Sequence, residues 1–255
     1  MAIGNRGGSF PLHIFIISWA GQHENAIHIS KELMGSVEKL SIVYSDPDPD
    51  FIMDAQCRLI RRPNNLFWED KFKVCLDECQ GGPFLIIHAD CRYERWPLVL
   101  ERCAEANVLY SNIGVWAPKI DKNYFDFNAV KLLRIKGTSL SVVALTNGIV
   151  FYLSPAIIKR MQKVEFGSNP LGWGIDLLMC SAAHVKNKLV LIDESIEINH
   201  SESRGYDSKK AELGMVKFYN QFSNRELIQC RLLRAFVDLN HIKNRSRLIK
   251  KLDAT

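Results

Sequence analysis

Two carboxylates and one imidazole stand where a chain can do chemistry. Asp90 follows the apolar run Phe84 to His88, Asp176 follows Gly172-Trp173-Gly174-Ile175, and His200 follows the segment Leu189 to Asn199. A hard divalent cation prefers oxygen ligands and can be held by one or two carboxylates together with substrate phosphates, so a carboxylate such as Asp90 is a tolerable anchor. A carboxylate that opens a helix beside flexible glycines can be positioned within reach of a hydroxyl proton, which fits Asp176. An imidazole nitrogen can serve as a metal ligand, which fits His200. Each residue also has a plainer use. Asp90 could cap a strand-to-helix turn, Asp176 could complement a helix macrodipole with Trp173 in the core, and His200 could simply be hydrogen-bonded or exposed.

Other chemistries lose their usual support. The sequence has no G-x-G-x-x-G, no Walker A sequence, no H-E-x-x-H and no G-x-S-x-G, the signatures of dinucleotide oxidoreductases, P-loop NTPases, zincins and serine hydrolases. Its seven cysteines form no C-x-x-C pair, which suggests neither a disulfide framework nor a zinc ribbon. Cys75 and Cys79, one helical turn apart, read as packing residues.

The elements that must position these residues alternate in type. Leu12 to Ser18 is a continuous apolar run that reads as a buried strand, and Ala26, Ile29, Leu33 and Val37 then recur at helical spacing. Leu40 to Ser45 is a second strand, stopped by Asp46-Pro47-Asp48-Pro49. Leu66 to Cys79 reads as a helix, Phe84 to His88 as a third buried strand and Arg95 to Ala106 as a helix. Such alternation implies a mostly parallel sheet covered on both faces, with ligands at the strand C-terminal ends, where Ser18, Asp46 and Asp90 all sit. The second half is more mixed. Val108 to Ile120 is strand-like, Asp121 to Ala129 looks like loop, and Leu140 to Leu153 reads as two strands around a tight turn at Asn147-Gly148. Ser154-Pro155 starts a helix, Gly167 to Gly174 is a loop, Ile175 to Val185 is a helix and Lys188 to Ile192 a further strand.

The order of these features resembles the GT-A glycosyltransferases, particularly the inverting family-2-like type, over roughly residues 12 to 205. The expected fold is therefore α/β: a GT-A-type, Rossmann-like mixed sheet covered by helices, with a C-terminal helical extension. In that family a D-x-D motif binds the metal and the donor diphosphate; the matching positions here read His88-Ala89-Asp90, so only Asp90 of the two acids is present. The family's G-W-G-x-[ED] stretch matches Gly172-Trp173-Gly174-Ile175-Asp176, which implies that Asp176 deprotonates the acceptor hydroxyl and that Trp173 stacks on a sugar ring. His200 falls where the family often has a histidine closing the metal or diphosphate site, and Ser201, Ser203, Arg204 and Tyr206 could close over phosphates. The resemblance also points to Ser18 and Asp46 at the nucleoside, to Lys71 or Arg62 at a phosphate, and to His88 near ribose or phosphate. The implied function is transfer of a sugar from a nucleoside-diphosphate sugar to a hydroxyl acceptor with Mn²⁺ or Mg²⁺, in bacterial surface glycan (lipopolysaccharide or capsule) synthesis. A retaining transferase on the same fold is the alternative within enzymes.

The 255 residues, 47% hydrophobic and 24% charged, suit an ordinary globular chain with one principal domain, drawn here as residues 1–207 with a helical extension over 208–255. The net charge of +5 is carried by residues 225–255, which hold 8 Lys or Arg against 3 Asp or Glu. Ile228, Leu232, Ala235, Leu239 and Ile242 keep one apolar stripe there, with Arg231, Arg234, Lys243, Arg245 and Arg247 supplying charge. That pattern fits a helix docking on an anionic membrane surface or a protein partner, a helix packed on the body, or a non-catalytic binding module. Aromatics are too sparse among its cations to suggest nucleic acid. The apolar runs are too short to span a membrane, Met1 to Phe10 lacks a signal-peptide core, and the unpaired cysteines read as cytosolic thiols, so the expected location is cytoplasmic with a peripheral membrane contact and a glycan or lipid-linked acceptor.

Overall fold

The computed structural model describes residues 12–122, 125–200 and 207–241. The chain runs β1 (His13–Trp19), α1 (His23–Leu33), β2 (Lys39–Ser45), β3 (Arg58–Arg61), α2 (Trp68–Glu78), β4 (Phe84–His88), β5 (Cys91–Arg92), α3 (Trp96–Leu109) and β6 (Ile113–Ile120). It continues through α4 (Phe127–Val130), β7 (Lys131–Arg134), β8 (Leu140–Val143), β9 (Val150–Leu153), α5 (Pro155–Met161), α6 (Ile175–Val185), β10 (Leu189–His200), α7 (Ser208–Phe218) and α8 (Asn224–Asn240). The sheet order is β3-β2-β1-β4-β9-β6-β10-β8-β7, with β5 paired to the end of β10. β3, β2, β1 and β4 are parallel, while β9 enters antiparallel between β4 and β6.

Both sheet faces are buried, so the strands read as continuous apolar runs and not as alternations. Phe15, Ile17, Phe84 and Ile86 pack toward α2, α5, α6 and α8, and Ile14, Ile16, Leu85 and Ile87 toward α1 and α3. The mixed α/β sheet between two helical layers is the expected architecture. All seven cysteines are free, and Cys75 and Cys79 are buried packing residues.

Three local expectations change. Asn147-Gly148 does not close a hairpin: β8 pairs with β7 and β10, β9 with β4 and β6, and the two strands never meet. Neither residue has the positive φ that such a turn needs. Instead the Asn147 carboxamide oxygen accepts from the Ile149 and Val150 amides at 3.0 and 3.3 Å. β10 does not stop at Ile192 but runs on to His200, with an irregularity between Asp193 and Glu197. The stripe Ile228, Leu232, Ala235 and Leu239 on α8 faces outward, and Cys230, Leu233 and Val237 make the packed face; Ile242, Lys243, Arg245 and Arg247 lie outside the described residues.

α8 is fastened firmly. Its capping box joins Ser223 to Glu226, and Arg160 on α5 grips the buried Glu226 carboxylate with two hydrogen bonds of 2.7 and 2.8 Å.

Candidate active site

A cavity of about 1000 Å³ opens at the C-terminal ends of β1, β2 and β4, and is walled on its far side by the loop before α6 and by α7 and α8. His88, the last residue of β4, lies edge-on to Trp68 with ring centroids 4.5 Å apart, and its Nε2 is shut away from solvent without a hydrogen-bond partner among the described residues. Burial pushes its pKa down to about 4, so the ring is neutral near pH 7 and its free nitrogen can accept or donate once a ligand enters.

Pairing of β5 with β10 sets Cys91 opposite His200 and brings the His200 imidazole to 3.2 Å from Asp90 Oδ2. Asn25 holds the turn by donating to the carbonyls of Ala89 and Cys91. Burial alone would raise the Asp90 carboxyl, but the His200 hydrogen bond and the two neighbouring imidazoles outweigh it and hold the group below the usual carboxylate range. Asp90 Oδ1 is buried and unpartnered among the described residues. Asp121 also lines the cavity, accepting from the His200 backbone amide at 2.8 Å.

On the opposite wall, Gly172 (φ +72°) and Gly174 (φ +93°) adopt the left-handed conformation that glycine tolerates, which turns the chain into α6 with Asp176 in its first turn. Burial raises the Asp176 carboxyl to about 6, against the opposing pull of backbone amides and of Arg234. Gly148 sits against it: a Cβ there would stand 3.7 Å from the Asp176 Cβ. Trp173 lines the same wall, its carbonyl held by Asn169 at 2.8 Å.

The nucleoside-side expectations divide. Lys71 is 4% exposed, lines the cavity, and among the described residues its ammonium has only the Leu66 carbonyl at 3.4 Å; burial, with Arg62 adding, lowers its pKa to about 8 against the pull of Asp70. Arg62 is turned away into a two-bond pair with Asp70, both at 2.7 Å, and does not line the cavity. Ser18 and Asp46 do not line it either. Ser18 Oγ meets His23 Nδ1 at 2.8 Å, and His23 Nε2 meets Asp46 at 2.9 Å. This Ser-His-Asp chain uses the two ring nitrogens in the reverse sense of a hydrolytic triad, and with Ser18 fully buried and the His23 ring stacked on Phe51 it ties α1 to the strand ends. The pleat puts the neighbours Trp19 and Ser45 on the cavity side instead. Ser201, Ser203, Arg204 and Tyr206 lie outside the described residues.

Sequence reasoning passed over Glu69 and Trp68 and named Arg234 only as a charge on the C-terminal helix. The buried Glu69 carboxylate accepts from the amides of Gly167 and Asn169 at 2.9 and 3.2 Å, which staples α2 to the loop that carries Trp173. Trp68 packs directly on Gly172. Arg234 and Asp238, one turn apart on α8, line the same wall of the cavity as Asp176, and Arg234 donates to the Tyr219 hydroxyl at 2.6 Å. The visible signal was an acidic, aromatic helix start at Trp68-Glu69-Asp70.

No protein-family model matches the sequence, and no curated protein matches it either. Solved structures do resemble the fold. The structure of GalNAc-T7 with UDP, GalNAc and Mn²⁺ aligns at 10% identity and TM-score 0.58, over 85% of this chain and 49% of that one, so this chain spans about half its length. Glucosyl-3-phosphoglycerate synthase from Mycobacterium tuberculosis, with Mn²⁺, UDP and phosphoglyceric acid, aligns at 13% identity and TM-score 0.53, over 86% and 78% of the two chains. A mycobacterial protein aligns at 11% identity and TM-score 0.54, over 82% and 74%. At these identities the likeness shows the fold, a GT-A-like, Rossmann-like mixed sheet with helices on both faces. Among the described residues no helix is long and apolar enough to cross a membrane.

Proposed function

We propose that this protein is a glycosyltransferase that moves a sugar from a nucleoside-diphosphate sugar to a hydroxyl acceptor by inverting displacement. The observation that carries the reading is the single cavity that joins Asp176, with its carboxyl raised to about 6, to the Asp90 and His200 pair. A carboxylate with that affinity for a proton can take one from an acceptor hydroxyl near neutral pH and is still mostly ionised there. Trp173 beside it offers a face for a sugar ring. Lys71 offers a cation to a donor phosphate, and His88 a free imidazole nitrogen to a ribose hydroxyl or phosphate.

A divalent ion fits the residues present. Asp90 has a buried oxygen to spare and His200 lies beside it, so these two would hold the ion. The described residues contain no group of three or more such ligands, so donor phosphates and water would have to complete the set, the habit of Mg²⁺ and Mn²⁺. Bound there, the ion would supply positive charge to the departing diphosphate. Mn²⁺ also accompanies UDP in the two transferase structures above.

By resemblance the acceptor belongs to bacterial surface glycan synthesis, lipopolysaccharide or capsule, at the cytoplasmic side. A thermal-shift screen of nucleoside diphosphates with and without Mn²⁺ tests the donor half of the reading. One nucleotide should stabilise the wild type in a metal-dependent manner and lose that effect in Asp90→Asn; stabilisation by none would remove the reading's basis. NMR of the product anomer separates inverting from retaining transfer.

A further inference from the structure

α8 presents three distinct faces. Cys230, Leu233 and Val237 pack on the body, Arg234 and Asp238 border the cavity, and Ile228, Leu232, Ala235 and Leu239 point outward. Positions i, i+4, i+7 and i+11 form one straight stripe on a helix. Its three large members are 58%, 60% and 58% exposed, on a helix whose opposite face is already satisfied by the core. Arg225 and Arg231 are exposed on either side of the stripe, and neither has a hydrogen-bond or ion-pair partner among the described residues. α7, whose Met215 also borders the cavity, repeats the pattern with Leu213 at 64% and Val216 at 58% exposed beside the exposed Lys217.

Apolar residues flanked by cations that can extend toward headgroups match the interface of an anionic bilayer. The sequence after His241 continues the same sign, with Lys243, Arg245, Arg247, Lys250 and Lys251 against Asp253 alone. A second copy of this face is the alternative occupant, and the oligomeric state in solution separates it from a lipid surface.

We propose that the outward stripe of α8 seats the protein on an anionic lipid surface and so turns the cavity mouth toward an acceptor carried in that surface. The acceptor half of this statement rests on the transferase reading; the lipid half does not. Cations on the flanks draw the helix to the headgroups, and the three large apolar side chains bury into the acyl boundary. Arg234, between stripe and cavity, would then stand where a lipid-borne acceptor enters.

Co-sedimentation of the full chain with vesicles tests the seating. Wild type should pellet with phosphatidylcholine mixed with phosphatidylglycerol, far less with phosphatidylcholine alone, and progressively less as salt rises. Joint substitution Ile228→Ser, Leu232→Ser and Leu239→Ser removes only exposed side chains and should weaken binding on the order of tenfold or more. Nucleoside-diphosphate binding should be unchanged in that variant, which separates this proposal from the transferase reading. If the triple variant folds poorly, Arg225→Glu with Arg231→Glu serves in its place, with the same loss expected. Equal pelleting with both vesicle types, no pelleting with either, or wild-type pelleting by both variants would overturn the proposal. So would a concentration-dependent dimer in light scattering that the triple variant converts to monomer.

Discussion

The indole of Trp68 lies directly on the backbone of Gly172, so that a Cβ at position 172 would overlap the ring. The contact joins the start of α2 to the loop that presents Trp173 and Asp176. It also explains why glycine is required there twice over, since φ at 172 is +72°. Gly172→Ala should cost about 2–4 kcal/mol, from the strained backbone and the forced shift of Trp68 together, read as a lower urea midpoint with unchanged slope. A stability equal to wild type would contradict the close approach.

Asp176 should make the protein less stable near neutral pH than an uncharged residue of the same size would. Its carboxyl is raised in the folded state, so folding favours the protonated form; that contribution is complete below the unfolded value of 3.8 and is lost as pH rises through about 6. Asp176→Asn, which cannot ionise, should therefore be more stable than wild type at pH 7 to 8, by on the order of 1–3 kcal/mol, with the difference vanishing toward pH 4. Melting curves across that range read it directly. A variant destabilised at pH 8 would mean that the carboxylate is a structural cap.

The pH profile should be bell-shaped. Activity should rise as Asp176 ionises through about 6 and fall as Lys71 loses its proton through about 8, since burial lowers the ammonium to that value. Lys71→Met should raise KM for the donor and remove the descending limb of kcat/KM while the ascending limb remains. A descending limb that persists in Lys71→Met would assign it to another group.

How far the sequence reaches can be seen residue by residue. The alternation of β1, α1, β2, α2 and β4 was legible because each buried strand is a short apolar run with a clear stop, and the Gly172-Trp173-Gly174 loop because glycines mark its left-handed turns. Which residue at a strand end faces the cavity was not legible. With both sheet faces apolar, nothing in the pattern distinguishes Ser18 from Trp19 or Asp46 from Ser45, and the assignment slipped by one pleat position. α8 carries two apolar stripes, so periodicity marks a helix without saying which side meets the core. Glu69 holds its loop partners 98 and 100 residues away, a separation that no local motif reports.

Glu69 should be structural through hydrogen bonding and not through charge. Burial raises its carboxyl against the pull of the two amides, and Oε2 alone takes both of them. Glu69→Gln keeps an acceptor and should cost little, about 1 kcal/mol, with activity largely kept. Glu69→Ala leaves two loop amides unpaired and should cost about 2–4 kcal/mol and release the loop, seen as faster amide exchange at Gly167 and Asn169. Equal exchange in the two variants would contradict the staple.

The most direct test pairs binding with turnover in one variant. With the nucleotide sugar whose diphosphate stabilises the protein, transfer of the sugar to acceptor or water, read as released nucleoside diphosphate, should fall in Asp176→Asn by about 10²–10⁴-fold at pH 7.5 while donor Kd stays within about twofold of wild type. Wild-type turnover in Asp176→Asn would contradict Asp176 as the base, and no binding of any nucleotide sugar by the wild type would contradict the transferase account itself.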